Sequence, residues 1–212
     1  MLAEDEDVVY YLTVMNEFYP MPSMPEGAEE GILKGIYKFR ASENRRAKVK
    51  AHLLACGAIV NEALAAQALL EKDFGVASDV WSVTSFKNLY WDAIAAERRS
   101  LRRPQQDPQP CYLQKQLSDE KGVFVAATDY LKALPAIVAK WIPGRAVVLG
   151  TDGYGRSDTR PALRDFFEVD ARHIAYTALA ALARENRVKH SVVKKAAKQL
   201  DINPEKTDPL FT

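Results

Sequence analysis

The chain has 212 residues, 48% of them hydrophobic, and sets 29 Lys and Arg against 28 Asp and Glu. That is enough apolar material for one full core with appended segments, and too even a charge balance to require nucleic acid or an anionic membrane as partner. Only Cys56 and Cys111 are present, residues 4–7 are acidic where a signal peptide would be basic and then apolar, and no apolar run approaches the ~20 residues of a bilayer span; a reduced, cytoplasmic protein is expected.

In chain order, residues 8–15 form an apolar, β-rich run that predicts a buried strand, although no partner strand lies nearby in sequence. The Pro- and Met-rich segment 19–27 excludes a helix and predicts an extended connector. From Gly31 onward strand and helix patterns alternate. Strands are predicted at 36–39, 49–55, 80–84, 123–127 and 146–150, with a polar turn at 42–46 between the first two. Helices are predicted at 58–72, where Ile59, Ala63, Ala66 and Leu70 recur and Gly75 supplies a stop, and at 88–101. A Pro- and Gln-rich break at 104–110 precedes a short helix at 112–117; a helix at 130–141 has Pro135 inside it, and three more are expected at 161–166, 170–186 and 191–200 before a polar tail.

Strands separated by helices imply right-handed crossovers, hence a three-layer α/β/α sandwich with a mixed, mainly parallel sheet of about five strands. The link between the first two strands is too short for a crossover, so these two are expected to be antiparallel, setting one strand against the grain of the sheet.

The most distinctive local sequence is LGTDGYGRSDTR at 149–160, after a buried strand and before a helix. Loops beyond the carboxyl ends of strands are where α/β sheets bind ligands, which makes Gly150, Asp152, Gly153, Gly155, Arg156, Ser157 and Asp158 the first place to look. The spacing is neither a dinucleotide fingerprint nor a P-loop. The favoured alternative is a structured loop in which Asp152 or Asp158 caps the next helix and Arg156 pairs with a carboxylate. Ser157 lacks the nucleophile-elbow context, and Cys56, at a strand-to-helix junction, is read as a buried apolar side chain over an activated thiol. His52, His173 and His190 show no metal-ligand spacing, and the first two are read as packed or surface residues. The basic stretch Arg98 to Arg103 is read as a solvated loop or helix end over an anion site. From the residues alone the chain offers loops on a scaffold, with no complete catalytic, cofactor-binding or metal set.

Several long motifs resemble one family in one order: YYLTVMNE at 10–17, MPSMPEGAEEGI at 21–32, KGIY at 34–37, SDVWSVTSF at 78–86, ATDY at 127–130, residues 149–160, and FFEVD at 166–170. They resemble the C-terminal domain of homodimeric-type pyruvate dehydrogenases, with a fold like the C-terminal domain of transketolase. Ala55-Cys56-Gly57 and residues 98–110 depart from the family's pattern. The resemblance implies an α-keto acid decarboxylase that uses thiamine diphosphate and magnesium and passes an acetyl unit to a lipoyl group of an acetyltransferase core. It places the cofactor and the catalytic residues in N-terminal and middle domains that no position here matches. It also implies a homodimer, a domain beginning near residue 31, and a seam with the preceding domain across residues 1–30, with Tyr11, Asn16, Glu17, Met24 and Glu26 as seam residues. A free-standing interaction or dimerisation module, and an anion- or nucleotide-binding domain using loop 150–158, are the competing expectations.

Overall fold

The structure, a computed structural model, describes Asp7, Val9, Tyr11, Leu12, Val14 and residues 17–44 and 47–212. The predicted strand at 8–15 and the turn at 42–46 therefore fall partly outside the described residues, as does Asn16. Val9, Tyr11, Leu12 and Val14 are exposed.

Five strands, β1 (Ile36–Arg40), β2 (Lys50–Ala55), β3 (Ala77–Val83), β4 (Val123–Ala127) and β5 (Ala146–Leu149), form one sheet in the order β1-β3-β2-β4-β5. β4 is a wholly buried apolar run, and β2 is buried from Ala51 onward with His52 among its apolar residues, as strands covered on both faces must be. β2, β3, β4 and β5 pair in parallel, and β1 pairs antiparallel with β3. β1 thus runs against the other strands as expected, but its hydrogen-bonded partner is β3, which lies between β1 and β2. An irregularity between Lys38 and Arg40 turns Arg40 toward the helix on the opposite face, where its guanidinium bonds the Leu64 carbonyl at 3.1 Å and the Gln67 side chain at 2.5 Å.

One face carries α2 (Ile59–Phe74), α7 (Ala171–Arg184) and α8 (His190–Gln199). Ala51, Leu53, Val80 and Val125 of the sheet meet Ile59, Ala63, Ala66 and Leu70 of α2 and Ala178, Leu179 and Leu182 of α7. Small alanines at the contact let helix and sheet backbones approach closely. α2 stops at Gly75, whose φ of 64° suits glycine, and the following Val76 N–H bonds the Leu70 carbonyl at 3.0 Å. The other face carries α3 (Phe86–Arg102) and α4 (Tyr112–Leu117), whose Leu89, Ala93, Leu113 and Leu117 cover Leu54, Trp81, Phe124 and Ala126. Ser85 starts α3 by accepting a hydrogen bond from the Asn88 N–H.

Three expectations change. A helix α1 (Glu29–Lys34) precedes β1, with acids in its first turn, Lys34 in its last and Gly35 closing it at φ 112°. The helix expected over 130–141 is broken into α5 (Ala133–Ala136) and a 3₁₀ turn at Ala139–Trp141, because Pro135 has no N–H to donate and the Tyr130 carbonyl is taken by the Thr151 N–H at 2.9 Å. The polar tail ends in a second 3₁₀ turn, Pro209–Phe211, with Pro209 buried. Helix α6 (Arg160–Phe166) has Pro161 in its first turn, the position that loses no helical hydrogen bond.

Candidate functional site

β2, β3 and β4 run parallel, so their carboxyl ends, Ala55, Val83 and Ala127, share one edge of the sheet with the start of α2. The connector crosses this edge. The Asn61 amide donates to the Pro20 carbonyl at 3.3 Å, the Arg164 guanidinium lies 5.4 Å from the centre of the Tyr19 ring, and Glu17 approaches Arg160 at 3.8 Å. Between connector and strand ends lies a cleft of about 700 Å³, lined by Tyr19, Met21, Tyr37, Phe39, Tyr130 and Leu134, with Cys56 beside them. Lys87 is the one charged residue of its lining among the described residues, and its ammonium already lies over the Trp91 ring at 4.7 Å. Cys56 is buried, with Sγ 2.9 Å from the Thr128 hydroxyl, and burial pushes its thiol up to about 11. A thiol held there is not a nucleophile at neutral pH. The cleft can bury apolar surface, but among the described residues it presents no acid–base pair to a substrate.

The loop after β5 reaches the same edge. Gly150 is packed so that any Cβ would crowd the Tyr130 carbonyl at 2.6 Å and the Lys132 nitrogen at 2.7 Å. Asp152 accepts from the Lys132 N–H at 2.9 Å, and Gly153, at φ 96°, leaves room for the Pro209 carbonyl of the tail. Beyond it Gly155, Arg156, Ser157 and Asp158 are exposed. Neither aspartate caps α6: Thr159 is its N-cap residue, and among the described residues Asp158 accepts only from the neighbouring Thr159 N–H at 2.6 Å. Arg156 meets no carboxylate among the described residues and instead lies over the Phe166 ring at 5.2 Å. Of the connector residues, Glu17 also accepts from the Tyr19 hydroxyl at 3.1 Å, while Tyr11, Met24 and Glu26 are exposed.

Sequence reasoning missed two charged clusters. At the carboxyl edge, Glu62 of α2 accepts from Arg164 at 2.6 Å and from the Ala171 N–H at 2.9 Å, tying the starts of α2 and α7 together. Asp170 caps α7, accepting from the His173 backbone N–H at 2.9 Å, the His173 ring at 2.7 Å and Arg172 at 2.9 Å. Burial opposes the charge on Asp170, but these partners outweigh it and hold the carboxyl at about 2. The signal was local: an Asp three residues before a His at a helix start.

At the opposite edge, on the α3 side, the buried Asp79 takes ion-pair contacts from Lys50 at 2.7 Å and Lys38 at 3.1 Å and a hydrogen bond from the Ser42 N–H at 2.9 Å. Glu120 joins both lysines. His52 stacks on Phe124, with ring centres 4.7 Å apart; its Nδ1 faces the Trp81 indole N–H at 3.4 Å and its Nε2 the Lys121 carbonyl at 3.3 Å. No local spacing could reveal this cluster, because its members come from three strands and a loop.

His52, Asp79 and Glu120, and likewise Asp165, Asp170 and His173, bring possible ligand atoms within 4.8 Å of one another. Neither set fits a divalent cation. The ammonium groups of Lys38 and Lys50 stand against the first and the guanidinium of Arg172 against the second, so each carboxylate set already has its cation. By the same chemistry neither fits magnesium-bound thiamine diphosphate.

Mixed sheet, helices on both faces, an antiparallel edge strand and an apolar carboxyl-edge cleft define a three-layer α/β/α domain. The chain belongs to the transketolase-like TK C-terminal domain family, whose model matches residues 35–170. It is 44% identical over 211 residues to a pyruvate dehydrogenase E1 component of Pseudomonas aeruginosa, covering 99% of this chain and 24% of that protein, and 43% identical over 207 residues to that of Escherichia coli, covering 97% and 23%. The chain thus spans about a quarter of the length of these curated relatives. A solved transketolase mutant from Pichia stipitis shares the fold, with a TM-score of 0.53 at 17% identity, covering 78% of this chain and 20% of that one. Among the described residues no helix is long and apolar enough to cross a membrane.

Proposed function

We propose that this chain serves as the C-terminal domain of a pyruvate dehydrogenase E1-type enzyme, and that its part is architectural. The parent would decarboxylate pyruvate with thiamine diphosphate and magnesium held in preceding N-terminal and middle domains, and would pass the acetyl unit to the lipoyl group of an acetyltransferase core in the cytoplasm. The observation that carries this reading is a match along 99% of the chain, at 44% identity, to proteins about four times as long, in a domain whose carboxyl-edge cleft is apolar. On this reading residues 1–30 form the seam, with Tyr11, Asn16, Glu17, Met24 and Glu26 facing the preceding domain, and residues 31–212 are the domain proper. The cleft then takes apolar side chains of that domain, and the loop from Gly150 to Asp158 is held by the chain's own contacts, with Asp152 as its anchor.

The 212-residue chain alone is expected to turn over no pyruvate with a dye acceptor and to bind thiamine diphosphate with no saturable heat. Turnover, or calorimetric binding in the micromolar range, would place cofactor chemistry in this domain and end the architectural reading. Deleting residues 1–27 is expected to leave cooperative unfolding intact, and loss of the unfolding transition would make the connector an integral part of the core.

A further inference from the structure

Helix α8 has two unlike faces. Val192, Val193 and Ala196, with Leu200 just beyond, pack into the core beside α7, whereas its exposed residues, His190, Ser191, Lys194, Lys195, Lys198 and Gln199, all fall on the opposite face. The helix contains no acidic residue. Lys189 precedes it as the N-cap residue, and Arg184, which ends α7, is exposed as well. Arg184, Lys189, Lys194, Lys195 and Lys198 have no carboxylate partner among the described residues, and Glu185, the one acid within 184–200, is taken by Arg187 at 3.4 Å and approached by Arg145 at 3.9 Å.

Helix formation does not account for this. Lys198 lies in the last turn, where the macrodipole favours a cation, but Lys189 stands at the opposite, positive end, and Lys194 and Lys198 are like charges four residues apart, an arrangement that weakens a helix. The other helix with a basic end, α3, differs: Arg98, Arg99 and Arg102 are exposed there, but Glu97 is exposed among them and Trp91 and Leu101 add apolar surface.

What the α8 face lacks points to its occupant. Its apolar side chains are turned to the core, and among the described residues none of the large exposed hydrophobic side chains falls within 184–200, so the face has nothing to insert into a bilayer and no ring on which a base could stack. Its charge is also narrow. Asp201, 99% exposed, follows the helix directly, Glu185 lies on the approach to it, and the whole chain carries a net charge of +1, so a membrane plane or a long phosphate backbone would meet acids together with the lysines. A slender partner meets the lysines alone. Lys194 and Lys198 are one turn, ~6 Å, apart along the axis with Lys195 beside them, which is the interval at which a second helix presents carboxylates placed every third and fourth residue.

We propose that the outer face of α8 docks an acidic helix of another polypeptide, whose carboxylates, one turn apart, meet Lys194, Lys195 and Lys198. This goes beyond the architectural role and does not depend on it.

The test is fluorescence anisotropy of a dye-labelled helical peptide of repeated Glu-Ala-Ala-Glu-Glu-Ala-Ala, which keeps its glutamates on one face, titrated with the 212-residue chain. Saturable binding that weakens as salt rises is expected, weaker by at least about threefold when the same residues are reordered to spread the glutamates around the helix, and absent when Lys replaces Glu. The triple substitution K194Q/K195Q/K198Q should weaken it at least about tenfold with the urea midpoint unchanged, because these side chains are exposed, and R98Q/R102Q should leave it as it was. No saturable binding up to millimolar protein, binding that K194Q/K195Q/K198Q leaves intact or that R98Q/R102Q weakens equally, or indifference to the placement of the glutamates, would overturn the proposal. So would a DNA duplex, or vesicles of equal parts phosphatidylserine and phosphatidylcholine, that displaces the labelled peptide at a lower concentration of charge than unlabelled peptide does.

Discussion

Against α2 and α7 the sheet presents Ala51, Leu53, Val80 and Val125 to a mainly aliphatic contact, whose polar members include Arg40, Gln67 and Ser78. Against α3 and α4 it presents Leu54, Trp81 and Phe124, and then, toward the amino ends of β2 and β3, a histidine, two carboxylates and two lysines. The first face gains its stability from area removed from water, which neither salt nor pH alters much. The second adds charges that remain favourable only while every member keeps its partner. A layered fold can therefore place its sensitivity to conditions on one side and its bulk stability on the other.

The sharpest way to break this comparison is to cut equally deep into both faces. Leu179→Ala, at a wholly buried position of α7, should cost about 3 kcal/mol in urea unfolding, with the same loss at pH 8 and pH 5.5 and in 1 M salt. Asp79→Ala leaves Lys38, Lys50 and the Ser42 N–H without their shared acceptor. The lysines are about a third exposed and keep Glu120, so a smaller loss, about 2 kcal/mol, is expected, shrinking as salt rises. If the second loss ignored salt as the first does, the division between faces would fail.

pH sharpens the same contrast. Burial lowers the His52 pKa, and the ring already faces the Trp81 N–H through one nitrogen and the Lys121 carbonyl through the other, so protonation would set two donors against each other. For a histidine whose folded pKa lies below its unfolded value, the stabilisation is complete above the unfolded value near 6.5 and declines as pH falls beneath it. Urea midpoints should therefore drop between pH 7.5 and 5.5 in the wild type, and less in His52→Gln. Asp170 acts lower down. With a folded value of about 2 against an ordinary 3.8, it contributes about 2 kcal/mol above pH 4, lost as pH falls toward 2, and Asp170→Asn should flatten that limb of the curve. The smallest effects belong to the loop after β5. Asp152→Ala removes the acceptor of the partly buried Lys132 N–H and should cost about 1 kcal/mol, whereas Asp158→Ala, exposed and bonded only to its neighbour, should cost a few tenths, roughly what a surface change does.

Which of these features could be read beforehand follows from their range along the chain. Ile59, Ala63, Ala66 and Leu70 announce α2 because helical periodicity is local, and the apolar run of β4 announces a strand covered on both faces. The mixed sheet with one reversed strand follows from loop lengths. That β3 inserts between β1 and β2 does not, since a short link fixes relative direction without fixing adjacency. The helix expected over 130–141 breaks because the Tyr130 carbonyl bonds Thr151, a contact that spacing within 130–141 cannot disclose. The loop from Gly150 to Asp158 was legible as a loop at the carboxyl edge, yet the apolar cleft beside it needs Tyr19, Tyr37 and Tyr130, which are brought together by the path of the connector.

The insertion of β3 also bears on how the chain is made. Synthesis delivers β1 and β2 first, and each finds β3 as a neighbour only after Val83 has been added. A nascent chain halted within α2 therefore carries two strands without their common partner, and Ile36, Leu53 and Leu54, wholly or almost wholly buried once folded, have nothing to cover them. Slow translation once Val83 has emerged from the ribosome would favour orderly assembly, and slow translation while Ala55 has emerged and Ala77 has not would prolong the interval in which the chain needs a chaperone.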